Sequence, residues 1–177
     1  MASSTITKNL RDGAIQIWDG ATPTPNKITL SLLEGNLTFT ETTNTINVLD
    51  RGSISSPAHQ RTGDDAPVTG SFTAKFCEFI SSGAEGPTLY EALTKTGTAS
   101  GWTSASGATT DVWSLVMKFY ILDPDSGDTT PYEILTFATL SPTSIEFAEG
   151  DEFDTMAVSF QSFEVRPAIA KSASAPA

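Results

Sequence analysis

Few side chains in this chain can do chemistry. Its 177 residues hold one histidine, His59, and one cysteine, Cys77. His59 could activate a serine or cysteine nucleophile, with Asp64 or Asp65 orienting the ring. It lies in a proline-containing polar stretch, however, and no nucleophile-elbow motif is present. Cys77 alternates with the apolar residues of a strand-like run, which predicts a small packed thiol. A reactive thiol needs a basic or helix-terminal setting. A single cysteine forms no internal disulfide and supports no zinc site built on cysteine pairs. Residues 123–128, DPDSGD, open like a calcium loop. An EF-hand would need an oxygen ligand at Gly127 and a carboxylate at Ile134, so Pro124 and Gly127 are read as a hairpin turn. Residues 149–154, EGDEFD, form a second acidic turn, and oxygen clusters alone do not fix a coordination geometry. No phosphate-cradling glycine motif is present. The expectation is a protein that is not an enzyme, with no catalytic residue, no metal site and no cofactor.

Charge is the next constraint. There are 21 acids and 10 bases, a net charge of −11. Such a surface repels nucleic acid and anionic membrane. Residues 1–100 carry ten acids and seven bases, and residues 101–177 carry eleven acids and three bases. Between Phe119 and Glu164 lie ten acids and no base. They coat a solvated face for solubility or form a negative surface facing something that must not stick. No run of eighteen apolar residues could cross a membrane as a helix. The opening residues, MASSTITKNLRDG, lack the apolar stretch of a signal peptide.

The elements that must position these residues are mostly strands. Ile15 and Ile17 share one face of a strand, and Ile28, Leu30 and Leu32 repeat the period of two. Leu37 and Phe39 follow a turn at 34–36, so a hairpin with the preceding strand is expected. Ile46 and Val48 mark another strand, as do Phe72, Ala74 and Phe76. Trp113, Leu115, Met117, Phe119 and Ile121 keep strict spacing and form the cleanest strand. Shorter strands are read at 131–139 and 144–148. The last, over 152–165, changes parity between Phe160 and Phe163, which predicts a bulge near Gln161 or Ser162. The one helix is expected at about 88–95, with Thr88 as N-cap, Glu91 closing a capping box, and Gly97 ending it. The fold class is mainly β: a sandwich or barrel-like domain of eight or nine strands with one short helix. The domain is read as 1–167, with long loops at 51–67 and 96–111 and a flexible tail at 168–177. Trp102 is read as lying on a surface excursion.

Residues 44–52, NTINVLDRG, the polar loop after them and residues 63–72, GDDAPVTGSF, together resemble the tail tube proteins of long-tailed bacteriophages. The turn at 149–151 and the amphipathic strand to Phe163 are similar too, and the likeness spans about 27–165. The alanine-rich C-terminus and the Gly/Ser/Thr stretch around Trp102 depart from it. The resemblance implies a structural virion protein with a β-sandwich and one helix. Such subunits form hexameric rings that stack into a hollow tube, through which the genome passes. The implied partners are further copies of the chain, a tape-measure protein, tail-completion proteins, and viral DNA that passes without specific binding. No membrane partner is implied. The implied location is the virion tail, after synthesis in the bacterial host cytoplasm. The long loop, with Arg51, His59, Arg61, Asp64 and Asp65, is then the candidate contact between subunits or rings. Glu133, Glu146, Asp154 and Glu164 lie in or beside strands and are the candidate lining of the lumen.

Three other readings share this composition. A head decoration or tail-completion protein would form single rings or capsomers. A secretion-system tube protein would share fold and hexamer. A carbohydrate-binding sandwich would expose aromatics such as Trp18, Trp102 or Trp113 on one face.

Overall fold

The computed structural model describes residues 13–30, 37–49, 57–82, 86–106, 112–121, 129–150 and 152–174, with 46–49 and 57–62 described as backbone only. The acidic turn at 123–128, Arg51, Asp151 and the turn at 34–36 lie outside them. The elements are β1 (Gly13–Trp18), β2 (Lys27–Leu30), β3 (Thr38–Thr40), β4 (Thr45–Leu49), β5 (Pro57–Thr62) and β6 (Val68–Lys75), then α1 (Leu89–Thr94). After α1 come a 3-10 turn (Gly97–Gly101), β7 (Leu115–Ile121), β8 (Tyr132–Ala148), β9 (Thr155–Ser162) and β10 (Ala168–Ser172). The protein is thus mainly β with one short α-helix, and it has ten described strands where eight or nine were expected.

Eight strands form one antiparallel sheet in the order β2-β1-β7-β8-β9-β6-β3, with β10 also paired to β8. The sheet is not closed into a barrel; β2 and β3 end its path, and β10 pairs only with β8 among the described strands. The expected hairpin between these two strands does not form. β2 pairs with β1 and β3 with β6, so the chain crosses from one edge of the sheet to the other. β4 and β5 make a separate two-stranded sheet.

The long strand β8 sets the shape. Its first half, Glu133 to Leu140, pairs with β7, and its second half, Leu140 to Ala148, pairs with β9. The register slips between Pro142 and Ser144. Proline cannot donate to a ladder, so a bulge is where a strand tolerates it. The two short strands read at 131–139 and 144–148 are therefore one bent strand. The bulge expected near Gln161 lies on its partner, opposite Phe160. The bend curls the sheet over itself. Phe137 on β8 meets Phe39 on β3, with ring centroids 5.6 Å apart. Those strands stand three places apart in the sheet, about 14 Å if it were flat.

The core fills this fold. Ile15, Ile17, Leu115, Met117 and Phe137 face Phe72, Met156, Val158 and Phe160, all at most 2 % exposed. Phe160 joins the halves, 5.4 Å from Phe137 and 6.2 Å from Phe72. Gly70 is required beneath it. A Cβ there would lie 2.6 Å from the Phe160 ring and 2.5 Å from the Thr38 carbonyl oxygen on β3. The apolar stripe of β7 is buried as its spacing predicts, with Trp113 half-buried at its start.

Three expectations are corrected. Trp102 is buried, not on a surface excursion, and belongs to the core. Its segment is docked by the Gly20 N–H, which donates to the Thr103 carbonyl oxygen at 2.8 Å. Cys77 is exposed, not packed, because β6 ends at Lys75. Ala168–Ser172 is a strand rather than a flexible tail, since β9 bends beyond Ser162 and the chain continues along β8.

Leu115 is fully buried beside the bend of β8. Leu115→Ala should cost about 2–5 kcal/mol through lost transfer energy and a residual cavity. Denaturant unfolding measures this, and a variant as stable as the wild type would place that side chain outside the core.

Candidate assembly surfaces

The four candidate lining acids do not share one face. Glu133 lies on the face of Leu135 and Phe137, and its carboxylate is 3.9 Å from the Lys171 ammonium on β10. Glu164 is a structural group. Its Oε1 accepts from the Ala138 N–H at 2.9 Å and from the Ser162 hydroxyl at 2.6 Å, pinning the elbow between β9 and β10. Asp154 is in the β8–β9 turn, where its Oδ1 accepts from the Gly150 N–H at 3.4 Å. Only Glu146 stands on the outward face of a sheet, paired with Ala157 and exposed.

That outward face has a distinct chemistry. Across β3, β6, β9 and the second half of β8 it presents Thr38, Thr40, Thr69, Ser71, Thr73, Ser159, Gln161, Ser144 and Glu146. These positions alternate with Phe39, Phe72, Val158 and Phe160, so the period of two puts hydroxyls on one side and the core on the other. The Thr38 and Ser71 hydroxyls share a hydrogen bond of 3.0 Å. Lys75 ends the row, and its ammonium lies 4.3 Å from the Phe153 ring.

The candidate contact loop is partly a hairpin. The backbones of His59 and Arg61 lie in β5, opposite Val48 and Ile46 of β4. The sequence hid this strand because residues 57–62, PAHQRT, have no apolar alternation. The hairpin base is tied down: the Gly63 N–H donates to the Asn44 carbonyl oxygen, and Asn44 Nδ2 donates to the Asp64 carbonyl oxygen, both at 2.8 Å. Asp64 and Asp65 are exposed. Among the described residues, no group of three or more His, Cys, Asp or Glu side chains is placed to hold a metal ion.

Two buried carboxylates were missed in the sequence as partners of distant backbone. Asp19 accepts from the Asn26 N–H at 2.8 Å and from Asn26 Nδ2 at 2.9 Å, ordering the β1–β2 connection. Glu91 does more than close the expected capping box. It accepts from the Thr88 N–H at 2.9 Å while the Thr88 hydroxyl accepts from the Glu91 N–H at 3.1 Å. It also accepts from the Thr98 N–H at 3.0 Å and the Thr98 hydroxyl at 2.8 Å. The helix is closed by Lys95 in the left-handed conformation, not by Gly97. Gly97, at φ +52°, instead leaves room for the carboxylate, since a Cβ there would collide with Glu91 Oε1. The Thr88 N–H is the largest influence on Glu91. With the bonds from Thr98 and Ser81 it outweighs burial and holds the carboxyl at about 2, below its ordinary 4.5. Its partners are hydrogen-bond donors of the segments before and after α1, so its role is structural.

No protein-family model matches the chain, and no curated protein matches its sequence. Solved structures do match. A chain of the PVC sheath-tube complex, an extracellular contractile injection system in its extended state, is similar with a TM-score of 0.58 and 9% identity, covering 96% of this chain and 99% of that one. A chain of the sheath/tube terminator of the PVC system, also in its extended state, gives 0.54 at 9% identity over 95% and 99%. A chain of the anti-feeding prophage cap, which terminates a tube, gives 0.53 at 10% identity over 97% and 95%. The chain shares the fold of these proteins. The coverage is nearly complete in both directions.

A depressed carboxyl stabilises the fold above its unfolded value and loses that effect as the pH falls toward its folded value. Glu91→Gln should therefore be less stable than the wild type above about pH 5, with the gap closing between about pH 4.5 and 2. Urea unfolding of both proteins across that range tests this, and a constant gap would mean that the charge of Glu91 is not what holds the loop.

Proposed function

We propose that this chain is a structural subunit that self-assembles into a hollow tube, the tail tube of a virion, and that the tube conducts DNA. The observation that carries the reading is the shared fold with chains of tube complexes over 96% of this chain. The resemblance of residues 27–165 to phage tail tube proteins supports it independently. A single ring, as a decoration or completion protein would make, is the alternative, as is the tube of a secretion system.

The surfaces fit an assembling protein. β2 and β3 leave two open edges on one sheet, and exposed edges pair readily with another chain. Among the described residues, the hairpin β4–β5 pairs with no strand of the main sheet. A lone two-stranded hairpin is marginal in water, so this one is proposed to be completed by a neighbouring subunit, with Arg51, His59, Arg61, Asp64 and Asp65 in or beside it. Closed rings of six, stacked along an axis, would cover these edges. A tape-measure protein and tail-completion proteins are the further partners of this reading, with assembly in the host cytoplasm.

The hydroxyl-rich face of β3, β6, β9 and β8 is proposed to line the lumen. Duplex DNA carries one charge per about 1.7 Å of axis, and basic walls would hold it by counterion release. Hydroxyls and Glu146 offer no such hold. Of the four acids read from the sequence, Glu146 best fits this role, and Asp154 lies in the turn beyond it. Glu133 and Glu164 remain candidates only at the rim, because both are engaged within the fold. Particles carrying Glu146→Lys should retain added duplex DNA that wild-type particles release; equal release would place that face elsewhere.

The assembly claim has its own test. Replacing residues 46–61 with a two-residue turn leaves the tie between Asn44 and Gly63 in place. The shortened chain should melt within a few degrees of the wild type, yet sediment as a monomer where the wild type sediments as multi-copy particles. Particles of unchanged size would remove the hairpin from the contact. A wild-type chain that stays monomeric at every concentration would overturn the tube reading itself.

A further inference from the structure

β6 and β9 are antiparallel partners of eight residues each, with Val68 opposite Ser162 at one end and Lys75 opposite Thr155 at the other. Both ends are apolar and open. Beyond Lys75, the Phe79 ring packs on Phe76, Tyr90 and Phe147, with centroids 4.7, 5.4 and 4.9 Å away. Yet Phe79 is 49% exposed, Phe147 44% and the adjoining Ile80 70%. About 25 Å away along the strands, Phe163 is 55% exposed and Val165 41%. They stand on the elbow after β9, where residues 163–167 face only 137–139 of β8, so the elbow bulges. It is a fixed knob: the Phe163 N–H donates to the Thr139 hydroxyl at 3.1 Å, and Glu164 is pinned on Ala138 and Ser162. Phe163 and Val165 share a recess of about 220 Å³ with Ala66 and Pro67. Five of the eight large apolar side chains exposed among the described residues thus lie at the two ends of one strand pair. Clustered exposed apolar surface marks a binding surface.

The charges at the two ends match strand by strand. β6 has an acid, Asp65, before its first residue and a base, Lys75, as its last; β9 has an acid, Glu152, before its first residue and a base, Arg166, after its last. All four are exposed. Asp64 beside Asp65 and Glu149 beside Glu152 follow the same pattern, and Glu78 beyond Lys75 departs from it. Lys75 lies over the Phe153 ring, and Arg166 pairs with Glu41 at 3.4 Å on an exposed surface, where an ion pair exchanges at little cost. A second copy displaced along the strands therefore brings Asp65 to Lys75 and Arg166 to Glu152, with the knob of Phe163 and Val165 against Phe79, Ile80 and Phe147. We infer that the elbow end of this strand pair docks head to tail on the aromatic end of a second copy of this chain. The contact is heterologous, since its two sides are different surfaces, so it propagates from copy to copy instead of ending at a dimer. It rests on the reading that the chain self-assembles, and it adds which surfaces meet.

Charge reversal at one end at a time tests it. Lys75→Glu with Glu152→Lys reverses the aromatic end, and Asp65→Lys with Arg166→Glu reverses the elbow end. Each variant alone sets like charges together and should raise the concentration for half-assembly about tenfold or more. An equal mixture of the two should assemble within about threefold of the wild type, because native ends then meet native ends and reversed ends meet reversed ends in alternation. Assembly of either variant alone at the wild-type concentration would overturn the contact. A contact between like ends would behave in that way, since both partners change together. A mixture that fails to assemble, although both variants melt within a few degrees of the wild type, would also overturn it, because the occupant would then be another surface. Should a charge variant misfold, Ile80→Ser decides. It changes one exposed side chain and should raise the half-assembly concentration about threefold or more, and an unchanged value would overturn the contact. Absence of assembly in the wild type would instead strike the self-assembly reading, which separates the two failures.

Discussion

The bend in β8 is the constraint on which the rest depends. β8 carries β7 along one edge and β10 followed by β9 along the other, and the bulge at Pro142–Ser144 bends it where it pairs with β9. That bend curls a single sheet around one core, closed by Phe160 against Phe137 and Phe72. It also fixes two outward faces with different neighbours and leaves β2 and β3 as open edges. A flat sheet of the same strands would have left the rings of Phe39 and Phe137 far apart and the core exposed.

The two faces divide the work electrostatically. Hydroxyls and one carboxylate, with Lys75 at the end of the row, cover the face of β3, β6, β9 and β8, and Trp18 gathers two lysines on the other. Four of the five described lysines stack on aromatic rings, at Trp18, Trp113 and Phe153. Long stems can cover apolar surface while the charge stays wet. Glu91 and Asp19, in contrast, spend their charge inside the fold, each organising a connection that docks near the core.

The parts legible in the sequence were those with a local physical signature. The stripe from Trp113 to Ile121 and the Thr88–Glu91 capping box are read from spacing, and both are present. Pairing across the sheet was not legible. Adjacency in the chain suggested a hairpin joining β2 and β3, yet long-range packing of Phe39 on Phe137 takes β3 to the far edge. β5 and β10 escaped notice because PAHQRT and AIAKS do not alternate cleanly; their backbones are held by ladders to β4 and β8. Trp102 looked like a surface residue because its flanks are Gly, Ser and Thr, and only the docking of that segment on Gly20 buries it. The candidate acids were chosen for lying in or beside strands, a criterion blind to which face each occupies and to partners such as Lys171 or Ser162.

The most direct measurement of the central claim is a cryo-electron micrograph reconstruction of the purified protein after self-assembly. The account predicts a hollow tube whose inner wall is the face bearing Thr73, Ser159 and Glu146. A solid filament, or a tube with that hydroxyl face turned outward, would contradict it.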